Sequence, residues 1–355
     1  MRRGRGYAAG VKRFSARIIA WQRRHGRHDL PWQTSRDPYR IWLSEIMLQQ
    51  TQVATVIPYF LRFVARFPDL ESLAGADEDA VLALWSGLGY YSRARNLQRA
   101  ARIIATRHGG RFPADPDDIR ALPGVGRSTA AAIAVFAFGA RRAILDGNVR
   151  RVLARHGGID GWTGDSATQE RLWALAESHL PDTGIEAYTQ GLMDLGATVC
   201  RRAAPACDAC PVAADCVARK LDLVACLPTP RPRRTLPERH VQMLLVIDRG
   251  AILLEKRPAD GVWPGLWSLP EAPAATDVRA HCEDTLGVAV VAVRPLAPIR
   301  HALTHFKLAI APQLVHARAR ADAPGMRPRL WLPTDDALAA ALPAPVRALI
   351  ARLPS

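Results

Sequence analysis

The sequence predicts two domains, a mainly α N-terminal domain and a smaller C-terminal domain of α+β structure. The chain has 355 residues, which is long for a single domain. Apolar residues recur at three- and four-residue spacing across residues 12–220, with Pro and Gly between the segments, as expected for packed helices. Beyond residue 240 the pattern changes to short apolar runs that are typical of strands.

Helix caps and periodicity place the helical segments. Asp37 and Pro38 form a cap and first turn, so a helix is expected from there through Gln50. A short helix is expected at about 116–121. The other predicted helices lie near residues 53–67, 77–85, 92–107, 127–138, 148–156, 168–179 and 186–198.

A stretch rich in Pro and Arg follows the helical segments, and its proline density rules out a helix or a central strand. We therefore assign residues 1–228 to the helical domain, 229–239 to a linker and 240–355 to the second domain. Within the second domain, strands are predicted around a turn at Asp248–Gly250 and further along the chain. The predicted strands are 241–247, 251–255, 288–293 and 306–311.

The formal net charge is +15, and it comes almost entirely from arginine. An excess of this size attracts polyanions, nucleic acid first, although a solvated basic surface is the simpler alternative. The composition, 49% hydrophobic and 23% charged, argues against disorder. The sequence contains neither an apolar run of membrane-spanning length nor a signal peptide, so we expect a cytoplasmic protein without membrane association.

In that compartment, cysteines indicate metal ligands or free thiols rather than disulfides. Four of the six cysteines stand in the pattern C-x6-C-x2-C-x5-C: Cys200, Cys207, Cys210 and Cys216. Such thiolates can converge on an iron–sulfur cluster or on zinc, and spacing alone does not decide between them. Ligation would hold this short loop, with Arg201 and Arg202, in a fixed position. Cys226 and Cys282 are expected to be ordinary thiols.

A glycine-containing turn, Leu122–Ala130, joins the short helix at 116–121 to the long apolar helix that follows. Gly124 and Gly126 allow positive φ and remove side-chain bulk, so backbone N–H groups can face outward beside a helix N-terminus. In a basic protein, a DNA phosphate is the natural ligand of such a turn. The alternative is a helix–helix turn that binds nothing.

Two carboxylates have the chemistry for cleaving a glycosidic bond. The helical neighbours of Glu45, among them Ile41, Trp42 and Leu48, are mostly apolar, and desolvation would raise its pKa enough for a general acid. Asp146 precedes a predicted helix and could face a sugar cation. The alternatives are a partnered buried glutamate and a plain helix cap.

Taken together, these segments resemble the adenine DNA glycosylases of the MutY family, within the endonuclease III-like helix–hairpin–helix superfamily. The resemblance implies a helix–hairpin–helix glycosylase domain with an iron–sulfur loop and a Nudix-like C-terminal domain. It also implies hydrolysis of the N-glycosidic bond of adenine opposite 8-oxoguanine or guanine, with base flipping and general-acid catalysis. The matching segments occur in family order: Leu30–Trp32, Trp42–Val53, Gly87–Asn96, Leu122–Ala130, Ile144–Arg155 and the four cysteines.

The same resemblance implies roles for individual residues. Glu45 is the acid that protonates adenine, and Asp146 stabilises the sugar cation or bonds to it transiently. Asn148 positions that carboxylate or the water, and Gln190 contacts the extruded adenine. The four cysteines hold a [4Fe–4S] cluster. The residues that wedge into the base stack or contact the opposite base are Gln50, Thr51, Leu88 and Tyr90.

Ser128 lies in the hairpin, where relatives that also nick the backbone carry a lysine for Schiff-base formation. Because serine cannot form a Schiff base, the enzyme is expected to be monofunctional, with water as the final nucleophile. In the second domain, Gly261–Pro270 resembles the start of a Nudix box, but the acidic core that should follow is missing, so pyrophosphate hydrolysis is not expected. The family's Phe-Ser-His loop stands here as Leu303–His305, in which Thr304 and His305 would read 8-oxoguanine.

Three other functions are compatible with parts of the pattern. An endonuclease III-type pyrimidine-lesion glycosylase/lyase is disfavoured by Ser128 and by the second domain. A non-catalytic DNA-binding protein is disfavoured by Glu45 and Asp146, and a Nudix hydrolase with a DNA-binding arm by the degenerate box. The expected partner is duplex DNA with an A:8-oxoguanine or A:G mispair, bound by a monomer at the bacterial nucleoid.

Overall fold

The structure, a computed structural model, describes residues 3–232, 235–319 and 327–353, with side chains from Phe14 onward. The chain divides into two compact units, residues 1–75 with 99–233 and residues 76–98 with 234–355. The junction near residue 233 falls inside the predicted linker. The segment 76–98, which we placed in the first domain, instead groups by its contacts with the C-terminal residues.

The N-terminal two thirds of the chain is helical, as predicted. Short 3₁₀ turns at Pro31–Gln33, Cys207–Ala209 and Ala213–Asp215 connect some of the helices. The helices are α1 (Arg3–His25), α2 (Pro38–Leu48), α3 (Val53–Arg66), α4 (Leu70–Ala74), α5 (Glu78–Trp85), α6 (Ser92–Arg107), α7 (Pro116–Ala121), α8 (Arg127–Phe138), α9 (Gly147–Gly157), α10 (Ser166–Ser178), α11 (Ile185–Asp194) and α12 (Val217–Lys220).

The predicted cap of α2 is confirmed, because the Asp37 carboxylate accepts a hydrogen bond from the Tyr39 N–H at 3.0 Å. The predicted end of this helix is wrong. The helix stops at Leu48, and Gln50 adopts a left-handed φ of 58°, which a continuing helix cannot accommodate. The helix predicted at 186–198 is present as α11, Ile185–Asp194, and it continues directly into a π-helical turn, Leu195–Val199.

One hydrophobic core cluster of the first unit lies between α1 and α8–α11. Leu145, Leu153, Leu172 and Leu195 are among its fully buried side chains. Along α8, every residue from Ala130 to Val135 is buried, which the small alanine side chains permit by letting neighbouring helices approach closely. The core thereby holds the N-terminal ends of α8 and α9, on which the site is built.

The second unit contains a mixed sheet. Its strand order is β3-β2-β1-β7-β5, with β1 parallel to β7 and the other pairs antiparallel; β4, β6 and β8 pair with β1, β7 and β2. Its elements are β1 (Glu238–Asp248), β2 (Ala251–Lys256), β3 (Trp267–Ser268), β4 (Glu271–Pro273), α13 (Val278–His281), β5 (Val288–Pro295), β6 (Ile299–Ala302), β7 (Lys307–Ala319), β8 (Arg329–Pro333), α14 (Thr334–Ala339) and α15 (Ala344–Ile350).

All four predicted strands are present, as is the turn between the first two. Arg249 and Gly250 have φ of 46° and 81°, the left-handed pair that matches the twist of a tight hairpin. The predicted linker is too long at its C-terminal end, since β1 already begins at Glu238. Within the described parts of the chain, no helix is long and apolar enough to cross a membrane.

Candidate active site

Two adjoining cavities lie in the first unit. We call the larger one the central groove, about 1020 Å³, which is lined by residues of α2, α3, α8 and α9 and by the loop after α2. The smaller one, the inner pocket, has a volume of about 490 Å³ and is lined by α2, α11 and the Leu30–Arg36 segment. That volume is within the range of small-molecule sites. Both cavities are lined by Arg27, Glu45, Leu48, Val53 and Met193.

Glu45 therefore stands where the inner pocket meets the central groove. Burial, with a further contribution from the nearby Asp146 carboxylate, raises the pKa of Glu45 to about 8. Among the described residues, none forms a hydrogen bond or an ion pair with this carboxyl group. A pKa of about 8 favours the protonated carboxyl group at neutral pH, and this group lines both cavities.

Asp146 lines the same groove from the N-terminus of α9. Its Oδ1 accepts from the Val149 N–H at 2.7 Å, so the predicted cap is real. Burial raises the pKa of Asp146, while the Val149 N–H and the Arg151 guanidinium oppose that rise. One carboxylate thus caps a helix and faces the groove, because capping occupies only part of its acceptor capacity.

Asn148 is fixed from both sides. Its Nδ2 lies 3.5 Å from Asp146 Oδ2, and its Oδ1 accepts from Arg151 Nη2 at 2.8 Å. The Arg151 guanidinium also donates to the carbonyls of Gly196 and Cys200, both at 2.7 Å. A Cβ on Gly196 would lie 2.6 Å from Asn148 Cβ, so only glycine fits there. Sequence reasoning missed Arg151 and Gly196, although Arg151 stands three residues after Asn148 on one helix face.

The predicted hairpin is formed by α7, the turn and α8. Gly124 has a φ of 78°, the positive value that glycine allows, whereas Gly126 does not use that freedom: its φ is −89°, and it forms an extended N-cap. A Cβ on Gly126 would meet nothing within 4 Å, so this position faces open space in the groove. Ser128 also lines the groove, and its Oγ accepts from the Leu145 N–H at 2.9 Å, next to Asp146.

The predicted stack-contacting residues divide between the units. Gln50 and Thr51 line the central groove beside Glu45. In the second unit, Tyr90 is 47% exposed with a left-handed φ of 50°, a conformation that is uncommon for residues other than glycine. Leu88 is only 6% exposed, so in this structure its side chain is not free to enter a base stack.

Of the remaining predicted contacts, Gln190 lies on α11 and lines the inner pocket with Glu45. Thr304 and His305 occupy the exposed turn between β6 and β7, in the second unit. The turn is closed by a hydrogen bond from the Leu303 N–H to the Phe306 carbonyl at 2.9 Å.

The four patterned cysteines line one small apolar cavity beside α9. Burial, together with the neighbouring thiols of Cys200, Cys207 and Cys216, raises the pKa of Cys210 to about 11. Arg155 Nη1 donates to Cys200 Sγ at 3.4 Å, and the Val212 N–H donates to Cys210. Four cysteine sulfur atoms that line one cavity, with N–H groups donating to two of them, are suited to ligating an iron–sulfur cluster. Within the described residues, no group of three or more His, Cys, Asp or Glu is arranged to hold a single metal ion.

The helical fold with its carboxylate-lined groove agrees with the comparisons to known proteins. Residues 43–178 match the family model described as HhH-GPD superfamily base excision DNA repair protein, and residues 242–352 match the NUDIX domain. A thermostable thymine-DNA glycosylase structure is 30% identical, with a TM-score of 0.53, covering 60% of this chain and 99% of that one. A non-covalent endonuclease III–DNA complex, 21% identical with a TM-score of 0.52, shares the fold over 61% of this chain and 98% of that one. The protein is therefore a DNA glycosylase of base excision repair.

Curated relatives identify the family within that class. An adenine DNA glycosylase of Buchnera aphidicola subsp. Baizongia pistaciae is 34% identical over 343 residues, 96% of both chains. The human adenine DNA glycosylase is 36% identical over 316 residues, which cover 74% of this chain and 58% of that one. The chain belongs to the adenine DNA glycosylase family.

Proposed function

We propose that this glycosylase removes adenine paired with 8-oxoguanine or guanine in duplex DNA, by hydrolysis and without cutting the backbone. The observation that carries the proposal is Glu45, a carboxyl group with a pKa of about 8 at the junction of pocket and groove, with Asp146 on the same groove. The names of the curated relatives support adenine as the base.

The geometry supports a division of labour between the two cavities. The extruded adenine enters the inner pocket, and its deoxyribose remains in the groove between Glu45 and Asp146. Glu45 delivers a proton to a ring nitrogen of adenine, the N9–C1′ bond breaks with its electron pair going to the base, and Asp146 stabilises the sugar cation. Water then bonds to C1′, and its proton returns to the Glu45 carboxylate. Asn148, held by Arg151, keeps the Asp146 carboxylate in place.

The test is a gel assay on duplexes with one A:8-oxoguanine or A:G mispair, analysed with and without alkali. We expect strand breaks at the adenine only after alkali, because an abasic site survives hydrolysis and breaks in base. Breaks without alkali would indicate a lyase, and breaks at a damaged pyrimidine instead would indicate the endonuclease III-type alternative.

Ser128→Lys tests the monofunctional assignment. Ser128 borders Asp146, so a lysine amine there would reach the sugar carbon and form a Schiff base. Borohydride should then trap a covalent enzyme–DNA adduct that the wild type and Ser128→Met do not form. Continued adenine release by the lysine variant, with no trapped adduct, would contradict this placement of Ser128.

For the four cysteines we propose a [4Fe–4S] cluster, which would supply structural cross-linking of the 200–216 loop. Arg201 and Arg202 on this loop line the central groove with Arg27, Arg150 and Arg151, a cationic wall suited to DNA phosphates. Cys210→Ser should lower the iron content and weaken duplex binding, whereas Cys226→Ser, an exposed cysteine outside the cavity, should do neither. Stoichiometric zinc without iron after anaerobic purification would contradict the cluster.

Thr304 and His305 are proposed to read 8-oxoguanine opposite the adenine. The oxidised base differs from guanine in an extra carbonyl and in an N7 that has become a donor, which a hydroxyl and an imidazole can distinguish. The double substitution Thr304→Ala with His305→Ala should reduce the preference for A:8-oxoguanine over A:G by roughly tenfold to a hundredfold. Thr276→Ala, at a turn elsewhere in the second unit, is the control. An unchanged preference would indicate that residues of the first unit recognise the base opposite the adenine.

A further inference from the structure

The turn Gly87–Tyr90, between α5 and α6, holds the exposed Tyr90 side chain on an uncommon backbone conformation. Three of its four residues have a positive φ: 105° at Gly87, 71° at Gly89 and 50° at Tyr90. Glycine adopts such values freely, but they are unfavourable for a residue that has a Cβ. The conformation of Tyr90 therefore requires contacts that hold the turn in place.

Arg93 on α6 provides the first of these contacts. Its side chain is buried, and its Nη2 donates to the carbonyl oxygens of Leu88 at 3.2 Å and of Gly89 at 3.1 Å. Trp85 Nε1 donates to the same Gly89 carbonyl at 3.2 Å. The guanidinium carbon of Arg93 also lies 5.3 Å from the centre of the Trp85 ring and 5.6 Å from that of the Tyr90 ring, both within cation–π range. Arg93 thus fixes the backbone of the turn and contacts the ring that the turn presents.

The two residues that flank the turn bind one carbonyl group in the C-terminal segment. Ser86 Oγ and the Tyr91 hydroxyl both donate to the Leu342 carbonyl, each at 2.9 Å. The Tyr91 hydroxyl in turn accepts from the Gly87 N–H at 3.3 Å. Leu342 lies between α14 and α15, and its side chain is fully buried, so packing within the second unit fixes its position. A single carbonyl therefore attaches both ends of the turn to the C-terminal segment.

Arg347 on α15 completes this attachment. Its Nη2 donates to Ser86 Oγ at 2.9 Å and to the Ala340 carbonyl at 3.1 Å, and its Nη1 donates to the Leu338 carbonyl. Because Arg347 supplies one hydrogen to the Ser86 hydroxyl, that hydroxyl can direct its own hydrogen to Leu342. The same guanidinium fixes the backbone that precedes Leu342. All of these residues belong to the second unit.

We infer that Leu342 and Arg347 are positioning residues for base extrusion, which hold the Gly87–Tyr90 turn so that the Tyr90 ring is ready to enter the base stack. The inference rests on the proposed function, in which Tyr90 contacts the stack when adenine is extruded. A ring that fills the gap stabilises the extruded state best when the turn that carries it is already ordered, because ordering it on binding would cost conformational entropy. The C-terminal segment thereby assists extrusion by a route separate from the reading of 8-oxoguanine.

Tyr91→Phe tests the inference, because it removes the hydroxyl that links Leu342 to Gly87. The duplex carries the target adenine opposite 8-oxoguanine with 2-aminopurine beside the adenine, whose fluorescence rises when its neighbour leaves the stack. The Glu45→Gln background keeps excision too slow to contribute to the signal. At saturating protein, the extruded-to-stacked ratio should fall about two- to tenfold, the effect of losing one hydrogen bond. Arg347→Met, which removes the donors to the flanking serine and to the backbone before Leu342, should lower the ratio as well.

Tyr39→Phe is the matched control. It also deletes a buried tyrosine hydroxyl that donates to a backbone carbonyl, that of Phe67 at 2.7 Å, but it lies on α2 in the first unit and lines neither cavity. It should leave the ratio unchanged. The signal per bound duplex at saturation does not depend on the folded fraction of the protein, so a merely structural role of Tyr91 would not lower it.

An unchanged ratio in Tyr91→Phe and Arg347→Met, or an equal fall in Tyr39→Phe, overturns the inference. A wild type that excises no adenine overturns the proposed function instead. The two failures are distinguishable, because the fluorescence reports extrusion without excision.

Discussion

Glu45→Gln is expected to lower the single-turnover rate of adenine excision by about 10²- to 10⁴-fold, the usual contribution of a general acid. Glutamine keeps the shape of the side chain at the junction of pocket and groove but cannot transfer a proton to the departing base. Duplex affinity should stay within a few-fold of the wild-type value, since no described residue depends on this carboxyl group as a partner. Glu71→Gln, an exposed change of the same kind on α4, should have no effect.

The pH dependence gives the same assignment an independent check. Because the pKa of Glu45 is raised to about 8, the acid form is present below that pH and is lost above it. The wild-type rate should therefore fall as the pH rises through 8. In the unfolded chain the pKa of Glu45 returns to its ordinary value of 4.5, so the contribution of this group to folding stability is fully present below that pH and is lost progressively until the pH passes 8. Glu45→Gln should therefore unfold at a higher temperature than the wild type at pH 9. A rate within roughly tenfold of wild type for Glu45→Gln would remove this residue from the acid role.

Asp146→Asn should separate the catalytic role proposed for this residue from its observed role as a helix cap. Asparagine is as good an N-cap as aspartate, so α9 and the thermal stability should be nearly unchanged. The excision rate should nevertheless fall by about 10²- to 10³-fold, because the amide places no negative charge beside the sugar cation. The measurements are the unfolding temperature and the single-turnover rate on the A:8-oxoguanine duplex.

The control for this substitution is Asp165→Asn. Asp165 caps α10 through the Thr168 N–H, in the same manner as Asp146 caps α9, but it does not line the groove. Both variants should keep their stability, and only Asp146→Asn should lose activity. Equal activity in the two variants would make Asp146 a helix cap and nothing more.

How much of this protein could be predicted from its sequence depends on how local each signal is. The cap at Asp37, the helix at 92–107, the glycine turn at Gly124 and the four-cysteine loop are encoded within a few residues, by periodicity and residue chemistry. Glu45 and Asp146 could likewise be identified as candidate catalytic residues from their neighbours in the chain and from a recognisable motif.

The rest was decided by tertiary packing. The end of α2 at Leu48, the grouping of 76–98 with the C-terminal unit and the contact of Gly196 with Asn148 depend on residues far apart in sequence. So do the hydrogen bonds from Ser86 and Tyr91 to the Leu342 carbonyl, which join positions 256 and 251 residues apart. By itself the sequence determined most of the elements and made Glu45 and the four cysteines candidates for an acid and a ligand set, because propensities and spacings act locally. Only the tertiary structure decided the cavity that raises the Glu45 pKa and the attachment of the Gly87–Tyr90 turn to Leu342, because burial and hydrogen-bond partners exist only once distant segments have packed.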